Sequence, residues 1–145
     1  TKRLGSAINE GETNSMVKYI LMNTVGNRNR DLPEKISFGE KCIIWLLRLL
    51  VPPHIDNEEA AEFLRTKIGQ NDNTIKWVVV RPSSLIDEED VSEYKTHSSP
   101  TRSAIFNDGK VSRVNVAAFM NKLITDQNLW EKWKGQMPVI YNKEK

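Results

Sequence analysis

The stretch from Ile75 to Ile86 constrains the fold of this chain more than any other segment. It reads Ile-Lys-Trp-Val-Val-Val-Arg-Pro-Ser-Ser-Leu-Ile. Apolar residues at consecutive positions, from Trp77 to Val80, are typical of a strand that is buried on both faces of a parallel sheet. Because proline lacks the amide proton that a central ladder needs, we predict that the strand ends at Arg81-Pro82.

Polar residues follow this strand where it ends. Ligands of open parallel sheets bind beyond the carboxyl ends of the strands, so Arg81, Ser83 and Ser84 are candidates for contact with a ligand. An ordinary strand exit with a surface arginine explains the same residues equally well. The spacing alone therefore leaves both interpretations open.

A second strand is predicted upstream, at Val17–Asn23. Tyr19 and Leu21 would lie on one of its faces, and Ile20 and Met22 on the other. Both faces are apolar, which indicates that helices cover the sheet on both sides.

Two helices are predicted between these strands. The first spans Phe38–Leu50, and Pro52-Pro53 ends it. The second begins at the capping pattern of Asp56–Glu59 and runs to about Ile68, with Gly69 as its C-terminal cap. A strand, two helices and a strand are therefore predicted between Val17 and Pro82.

Shorter elements follow. We predict strands at Tyr94–Ser99, Lys110–Arg113 and Pro138–Tyr141, a helix with Asn115 as its N-cap, and a short helix capped by Asp126. This order of elements is typical of half of a doubly wound α/β fold, in which a parallel sheet carries helices on both faces.

The composition fits one domain over residues 1–145. Lysine and arginine total 21 against 19 acidic residues, and this near balance predicts no binding to nucleic acid. The single cysteine, Cys42, excludes an internal disulfide and suits a reducing compartment such as the cytoplasm. Cys42 lies among apolar residues, so we expect a buried, inert thiol. With two histidines and one cysteine, a structural zinc site would need many carboxylates, and we expect no metal.

The most apolar run is Cys42–Pro53, which Arg48 interrupts. It is too short to cross a bilayer, since a membrane-spanning helix needs roughly 20 residues. We interpret it as a buried helix and expect no membrane partner. A helix that lies in a membrane interface, or an interface between subunits over Ile43–Leu50, are the alternatives.

Four segments also resemble a known family. Trp77–Leu85 resembles the late strand and the Arg-Pro-Gly-x-Leu loop of the short-chain dehydrogenase/reductase superfamily, in its atypical, NmrA-like branch. Lys18–Thr24, Asn57–Arg65 and Val111–Met120 resemble the preceding strand, the helix between the strands and the later Ser-Arg-x-Asp-Val-Ala segment. The resemblance covers nearly the whole chain. It implies a partial Rossmann-like sheet and an oxidoreductase-like protein that binds NAD or NADP.

The glycine-rich loop of that family is missing. In the family, this loop opens the chain, and the helix that follows it holds the pyrophosphate on its N-terminal amides. Here the seven glycines are scattered, and none of them forms a G-x-x-G-x-x-G or G-x-G-x-x-G motif. The resemblance therefore implies the C-terminal half of a cofactor-binding domain. We expect such a half, by itself, to bind the dinucleotide weakly or not at all.

The Tyr-x-x-x-Lys dyad of the family is also missing. Alignment of the helix glutamate with Glu62 places His54 and Glu58 at the two positions, and a slip of one residue places Pro53 and Asn57 there. His54 could act as an acid or base beside Glu58. The alternative is a histidine at a helix entry beside a surface carboxylate.

The resemblance also marks the strand ends. Thr24 could touch the substrate or the nicotinamide ribose, with Asn23 beside it, or it could simply close a turn. The segment Arg81–Leu85 would line the nicotinamide side, with contributions from Arg81, Pro82, Ser83, Ser84 and Leu85. Ser83 stands where the family has glycine, and this puts a close backbone approach to the cofactor in doubt.

Half of a doubly wound sheet leaves an open edge. The outer edge of the Val17–Asn23 strand would expose unpaired amides and carbonyls, so we expect another chain or segment to cover it. Three functions remain open: an oxidoreductase-like NAD(P)-binding domain, a non-catalytic dinucleotide sensor or assembly module, and a structural subunit.

Overall fold

The computed structural model describes residues 16–34, 38–50, 52–103, 107 and 109–143. The elements in chain order are β1 (Val17–Met22), α1 (Phe38–Leu50), α2 (Pro52–Phe63) with a π-helical turn (Leu64–Ile68), β2 (Ile75–Pro82), β3 (Ser84–Ile86), β4 (Tyr94–His97), β5 (Lys110–Ser112), α3 (Arg113–Thr125), α4 (Gln127–Trp133) and β6 (Val139–Asn142).

The main sheet has four strands in the order β1-β2-β6-β4. β1 runs parallel to β2 over its whole length, from Val17 opposite Ile75 to Met22 opposite Val80. β2 is parallel to β6, and β4 is antiparallel to β6. This confirms the predicted α/β class with a mostly parallel sheet, and it confirms that the two apolar segments are neighbours.

Helices cover both faces of β2, because its side chains alternate between two cores. Trp77 and Val79 point to one face and form a core with Ala61 of α2 and Leu64 of the π-helical turn. The other face of β2 packs against α3 and α4. The buried residues of the core on this side are Val78, Val80, Val111, Val116, Phe119, Leu123, Trp130, Trp133 and Ile140. A strand with two buried faces explains the continuous apolar run in the sequence.

The segment after β2 differs from the prediction. We predicted a polar loop after Pro82, whereas Ser84–Ile86 forms β3, which pairs in parallel with β5 as a separate two-stranded sheet. The prediction of a break was still right for the main sheet, since no residue after Pro82 continues the pairing of β2 with β6.

The helix boundaries are partly as predicted. α1 matches, and Gly69 does end the second helix, with a φ of 70° and its amide bonded to Leu64 O. However, α2 begins at Pro52 and not at the Asp56–Glu59 pattern. Proline is favoured in the first turn of a helix because an amide proton at that position would have no intrahelical partner, so its absence costs nothing. Pro52 therefore starts a helix as well as separating it from the one before.

Of the two predicted N-caps of the last two helices, one is confirmed and one is wrong. Asp126 caps α4 as predicted, and its carboxylate accepts hydrogen bonds from the amides of Asn128 and Leu129. The predicted N-cap of α3 is wrong, because Ser112 takes that role and accepts a hydrogen bond from the Asn115 amide at 3.2 Å. Asn115 lies one turn further in and is fully buried.

The exposure of α1 contradicts the prediction that this helix is buried. Among its described side chains Phe38, Cys42, Trp45 and Leu46 are exposed, so Cys42 is not a core thiol. Apolarity predicted that this helix packs, but the described part of the chain supplies only α2 as its main neighbour. No helix among the described residues has the length and apolarity required to cross a membrane.

The α3 face of the core gives a direct stability test. Phe119 is 1% exposed, so Phe119→Ala should lower the free energy of unfolding by about 3–5 kcal/mol through lost contacts and a residual cavity. Ile124 lies on the same helix but is 59% exposed, and Ile124→Ala should change stability by about 0.5 kcal/mol or less. Urea denaturation of both variants measures the difference. Equal losses would contradict this assignment of the core.

Candidate functional site

The predicted ligand residues meet at the carboxyl edge of the main sheet. Because β1 and β2 are parallel and in register, their exits lie side by side. The amide of Asn23 donates to Val80 O at 2.8 Å, and the amide of Val25 donates to Pro82 O at 2.9 Å. The structure therefore brings Asn23 and the adjoining Thr24 next to the start of the Pro82–Leu85 segment.

The side chains after β1 are tied down by hydrogen bonds. Asn23 Nδ2 donates to the Asn57 carbonyl of α2 at 2.8 Å, and Asn23 Oδ1 accepts from the Thr24 amide. Thr24 Oγ1 accepts from the Gly26 amide at 3.3 Å, so the threonine does close a turn. A hydroxyl that accepts in this bond still has its own proton to donate, and Thr24 is only half-buried.

Ser83 differs from its neighbours at the exit of β2. It is 6% exposed, and its Oγ has no hydrogen-bond partner among the described residues. Ser84 and Leu85 are exposed and belong to β3. Ser83 is therefore an unsatisfied polar group directly at the predicted site. Burial of a hydroxyl without a partner lowers the stability of the fold by about 1–3 kcal/mol.

Arg81 is fully buried beneath this edge. Its Nε donates to Met137 O at 2.8 Å and Nη1 donates to Asn27 O at 2.9 Å. Its Nη2 donates to Glu34 Oε1 at 2.8 Å and to Ser98 O at 3.1 Å. The interpretation of a surface arginine is therefore wrong. A guanidinium enclosed by protein groups positions the loops of the site and has no exposed face for a ligand.

The segment from Asn27 to Glu34, which we call the strap, crosses the α2 face of the sheet at this edge. Its ends are held by Arg81, and the Asn29 amide donates to Glu34 Oε2 at 3.0 Å. Arg65, from the π-helical turn after α2, forms an ion pair with Asp31. The strap is therefore fixed both to β2 and to α2, which predictions from local sequence could not show.

The helix α2 carries His54 and Glu58, the two residues that the sequence resemblance aligns with the Tyr-x-x-x-Lys dyad. The Asn57 carbonyl accepts hydrogen bonds from Asn23 at 2.8 Å and from Asn27 at 3.4 Å, so this part of α2 does lie against the exit of β1. Glu58 is half-buried one residue further on. His54 lies in the first turn of α2, but its side chain is outside the described part of the structure.

A polar network fixes the loop after β3. Asn115 Oδ1 accepts from the Ser92 amide at 2.9 Å, and its Nδ2 donates to Ser92 Oγ at 2.9 Å and to Asn142 Oδ1 at 2.7 Å. Asn142 Oδ1 also accepts from the Ser112 amide at 3.0 Å. The asparagine at the family's aspartate position therefore fastens this loop to α3 and β6.

Sequence reasoning missed a cleft next to the predicted site. It has a volume of about 1180 Å³ and lies between the loop after β3, the start of β5 and the end of β6. Tyr141 lines it and belongs to a small buried cluster with Val139 and Val25, one residue beyond Thr24. Burial raises the pKa of Tyr141, and nearby groups of Thr101 and Arg102 oppose this rise. Only the position of Tyr141 at the end of a predicted strand could have indicated this neighbourhood.

The described residues contain no group of three or more His, Cys, Asp or Glu side chains that could hold a metal ion.

The chain has no match by sequence among protein-family models or curated proteins. Solved structures are similar. For the anaerobillin reductase ChuY of Escherichia coli O157:H7, the TM-score is 0.59 at 18% identity, over 97% of this chain and 57% of that one. For a short-chain dehydrogenase/reductase of Veillonella parvula in complex with NADP, it is 0.53 at 17% identity, over 85% and 49%. For the oxidoreductase ylbE of Lactococcus lactis, it is 0.53 at 14% identity, over 86% and 46%.

These similarities establish the fold. The described part of the chain has a Rossmann-like α/β fold, which it shares with these solved structures. The chain spans about half the length of the solved structures it matches.

The buried ion pair under the site predicts a large mutational effect. Arg81→Leu should lower the free energy of unfolding by about 3–5 kcal/mol, because the Glu34 carboxylate, 3% exposed, would lose its charged partner. Arg113→Leu removes an exposed ion pair with Asp87 and should cost at most about 1 kcal/mol. Urea denaturation compares the two variants, and similar losses would show that Arg81 is not buried as described.

The ion pair between Glu62 of α2 and Arg65 of the π-helical turn predicts a pH effect. Hydrogen bonds from Arg65, at 2.7 and 3.2 Å, hold the pKa of Glu62 below its ordinary value. A carboxyl with a lowered pKa in the folded state stabilises the fold above its unfolded pKa and loses this contribution as the pH falls through the folded pKa. Arg65→Met should therefore raise the pKa of Glu62 and remove this part of the acid sensitivity.

Carboxyl-detected NMR titration measures this pKa in each variant. Arg28→Met is the matched control, because Arg28 donates to Glu34 O and does not contact Glu62. An unchanged pKa of Glu62 in Arg65→Met would contradict the assigned cause.

Proposed function

We propose that this chain is the C-terminal portion, over residues 1–145, of an oxidoreductase-like NAD(P)-binding domain. One observation carries the proposal: the parallel pairing of β1 and β2 places Asn23 and Thr24 beside Pro82 and Ser83 at the carboxyl edge of the sheet. Ligands of open α/β sheets bind at this edge.

The groups at this edge suit the nicotinamide riboside of a dinucleotide better than its pyrophosphate. The unsatisfied Ser83 hydroxyl and the half-buried Thr24 hydroxyl are groups that can hydrogen-bond a nicotinamide riboside. The sequence offers no glycine-rich turn for the pyrophosphate. We therefore assign Asn23, Thr24 and the Pro82–Leu85 segment to the nicotinamide end, with Arg81 as the residue that holds the surrounding loops in place.

A bound nicotinamide would supply hydride transfer. For a carbonyl substrate, the Thr24 hydroxyl is placed to donate a hydrogen bond to the substrate oxygen, while Asn23 holds the Thr24 amide and thereby the turn. His54 is the residue proposed for proton transfer, with Glu58 one helical turn further along α2.

A non-catalytic dinucleotide sensor or assembly module is the second candidate. The helix that carries the Tyr-x-x-x-Lys dyad in the family does lie against the exit of β1, but it presents Asn57 and Glu58 there and no lysine. A protein that kept the binding edge and lost the proton-transfer groups would look like this. We place this candidate second because the half-buried Thr24 hydroxyl at this edge still has a proton to donate.

Calorimetry with NADPH tests the assignment of the missing half. Residues 1–145 alone should bind NADPH weakly or not at all, because the pyrophosphate contributes much of the affinity through helix N-terminal amides that this chain lacks. Submicromolar binding by residues 1–145 would overturn the proposed division into halves. Turnover of carbonyl substrates by the complete gene product separates the enzyme from the sensor.

Two substitutions then test the roles in that complete product. Thr24→Val should lower kcat by about 10²–10³-fold, the usual effect of removing one donor to a developing oxyanion. Thr125→Val is the matched control, because Thr125 Oγ1 only donates to Asn121 O within α3. His54→Ala should abolish activity, and unchanged turnover would exclude His54 from the mechanism.

A further inference from the structure

The helix α1 presents an apolar stripe to solvent. Phe38 is 82% exposed, Trp45 64% and Leu46 47%, and Cys42 is exposed between them. Their spacing of i, i+4, i+7 and i+8 places the four residues, which we call the α1 stripe, on one face of the helix. An open pocket of about 400 Å³ lies among Lys41, Cys42, Trp45 and Leu46. The main neighbour of α1 among the described residues is α2, and it leaves this face uncovered.

Helix geometry divides the stripe into two unlike sides. Successive residues of an α-helix are rotated by about 100°, so Phe38 and Trp45 lie together on one side of Cys42. Leu46 lies on the other side of Cys42, together with Gly39, which is also exposed. One side therefore carries two aromatic rings, and the other carries a leucine and a position without a side chain.

These two sides make the stripe complementary to a second copy of itself. A two-fold axis at Cys42, the middle of the stripe, brings two α1 helices together in opposite directions, and each side then meets the same side of the copy. Phe38 lies beside Trp45 of the second copy, and aromatic pairs of this kind attract beyond the area that they bury. Leu46 lies over Gly39 of the second copy, where the missing side chain leaves room for it.

The exposed area determines how strong such a contact can be. At their measured exposures, the two aromatic side chains and Leu46 offer roughly 400 Å² of surface per copy, and a symmetric contact would bury roughly 800 Å² in total. Stable interfaces bury about 1,200–2,000 Å², and transient ones bury less. The size of the stripe therefore suits a weak, reversible dimer.

A lipid surface suits the stripe less well than a second copy does. Helices that lie in a membrane interface carry several lysines and arginines beside their apolar face. Among the described side chains of α1, Lys41 is the only exposed base.

We propose that the α1 stripe is a self-association surface, through which two copies of this chain form a reversible, antiparallel helix contact centred on Cys42. The proposal is independent of the proposed function, because no residue of the stripe belongs to the nicotinamide site.

Sedimentation equilibrium over about 10 µM to 1 mM tests the association. The 145-residue chain should pass from monomer to dimer with a dissociation constant of about 10–100 µM. Trp45→Glu should raise this constant at least about 10-fold, because it places a carboxylate beside the Phe38 ring of the second copy. Ile124→Glu is the matched control, since Ile124 is 59% exposed on α3, and it should dimerise like the unmodified chain. A chain that stays monomeric at about 1 mM, or undiminished association of Trp45→Glu, would overturn the proposal.

Gly39→Leu separates the proposed fit from unspecific apolar association. The substitution adds apolar surface and favours the helix relative to glycine, so unspecific association would become tighter. In the proposed contact, the added side chain occupies the space of Leu46 of the second copy, and the dissociation constant should rise at least about 10-fold. Tighter association of Gly39→Leu would contradict the proposed register.

Cross-linking locates the contact, because Cys42 is the only cysteine of the chain. A short bis-maleimide should join two copies of the unmodified chain and of Ile124→Glu. It should join Trp45→Glu, which keeps Cys42, at least about 10-fold less. A dimer in sedimentation that does not cross-link would assign the association to another surface, such as the outer edge of β1, with which no strand among the described residues pairs.

The other possible occupants of the stripe have their own outcomes. A monomeric chain that co-sediments with vesicles of phosphatidylcholine and phosphatidylserine would assign the stripe to a lipid surface. A monomeric complete gene product in which Cys42 does not react with a maleimide would assign the stripe to another part of the same polypeptide. Either result would overturn the proposal.

Discussion

The parallel pairing of β1 with β2 is the constraint on which the rest of the structure depends. Six consecutive residue pairs, from Val17–Ile75 to Met22–Val80, fix the register. The register brings the two strand exits to the same level, and the hydrogen bonds from Asn23 and Val25 continue the pairing past the strand ends. A slip of one residue would turn every side chain of β1 to the opposite face, so the two cores and the candidate site depend on the same pairs.

Arg81 extends this order from the sheet to the loops. Its side chain lies on the same face as Trp77 and Val79, but at the edge where the apolar core ends. There it binds the carbonyls of three separate segments and one carboxylate. Arginine suits this role because its planar guanidinium offers five donors in a fixed arrangement and stays charged when buried. The cost of burying the charge is offset only while Glu34 and the carbonyls stay in place.

The sequence was informative wherever one segment determined its own structure. The apolar run from Trp77 to Val80 indicated a covered parallel strand, and proline marked its end. The prediction of two parallel strands also placed Asn23, Thr24 and Ser83 at one edge of the sheet, because parallel strands end on the same side. Short or ambiguous signals failed. Ser84–Ile86 is too short to predict as β3, and Pro52 can end one helix or begin the next.

Features that depend on distant partners could not be predicted. Nothing near Arg81 in the sequence shows that Glu34 lies 2.8 Å from its guanidinium, so the arginine was expected at the surface or on a ligand. The exposure of Trp45 and Cys42 on α1 is similar, because an apolar pattern predicts packing without naming the partner. Tyr141 was assigned to a strand, but its place in one buried cluster with Val25 and Val139 depends on the order of strands in the sheet.

We propose that a nicotinamide dinucleotide binds at the shared carboxyl edge of β1 and β2. The most direct measurement is an NMR titration of the native polypeptide with NADPH, followed by backbone amide shifts. We expect the largest changes in amide shift at Thr24, Ser83 and Ser84, and little change at Gly135, which lies at the opposite end of β2. Changes confined to the cleft around Lys110 and Lys143, with none at Thr24 or Ser83, would contradict it.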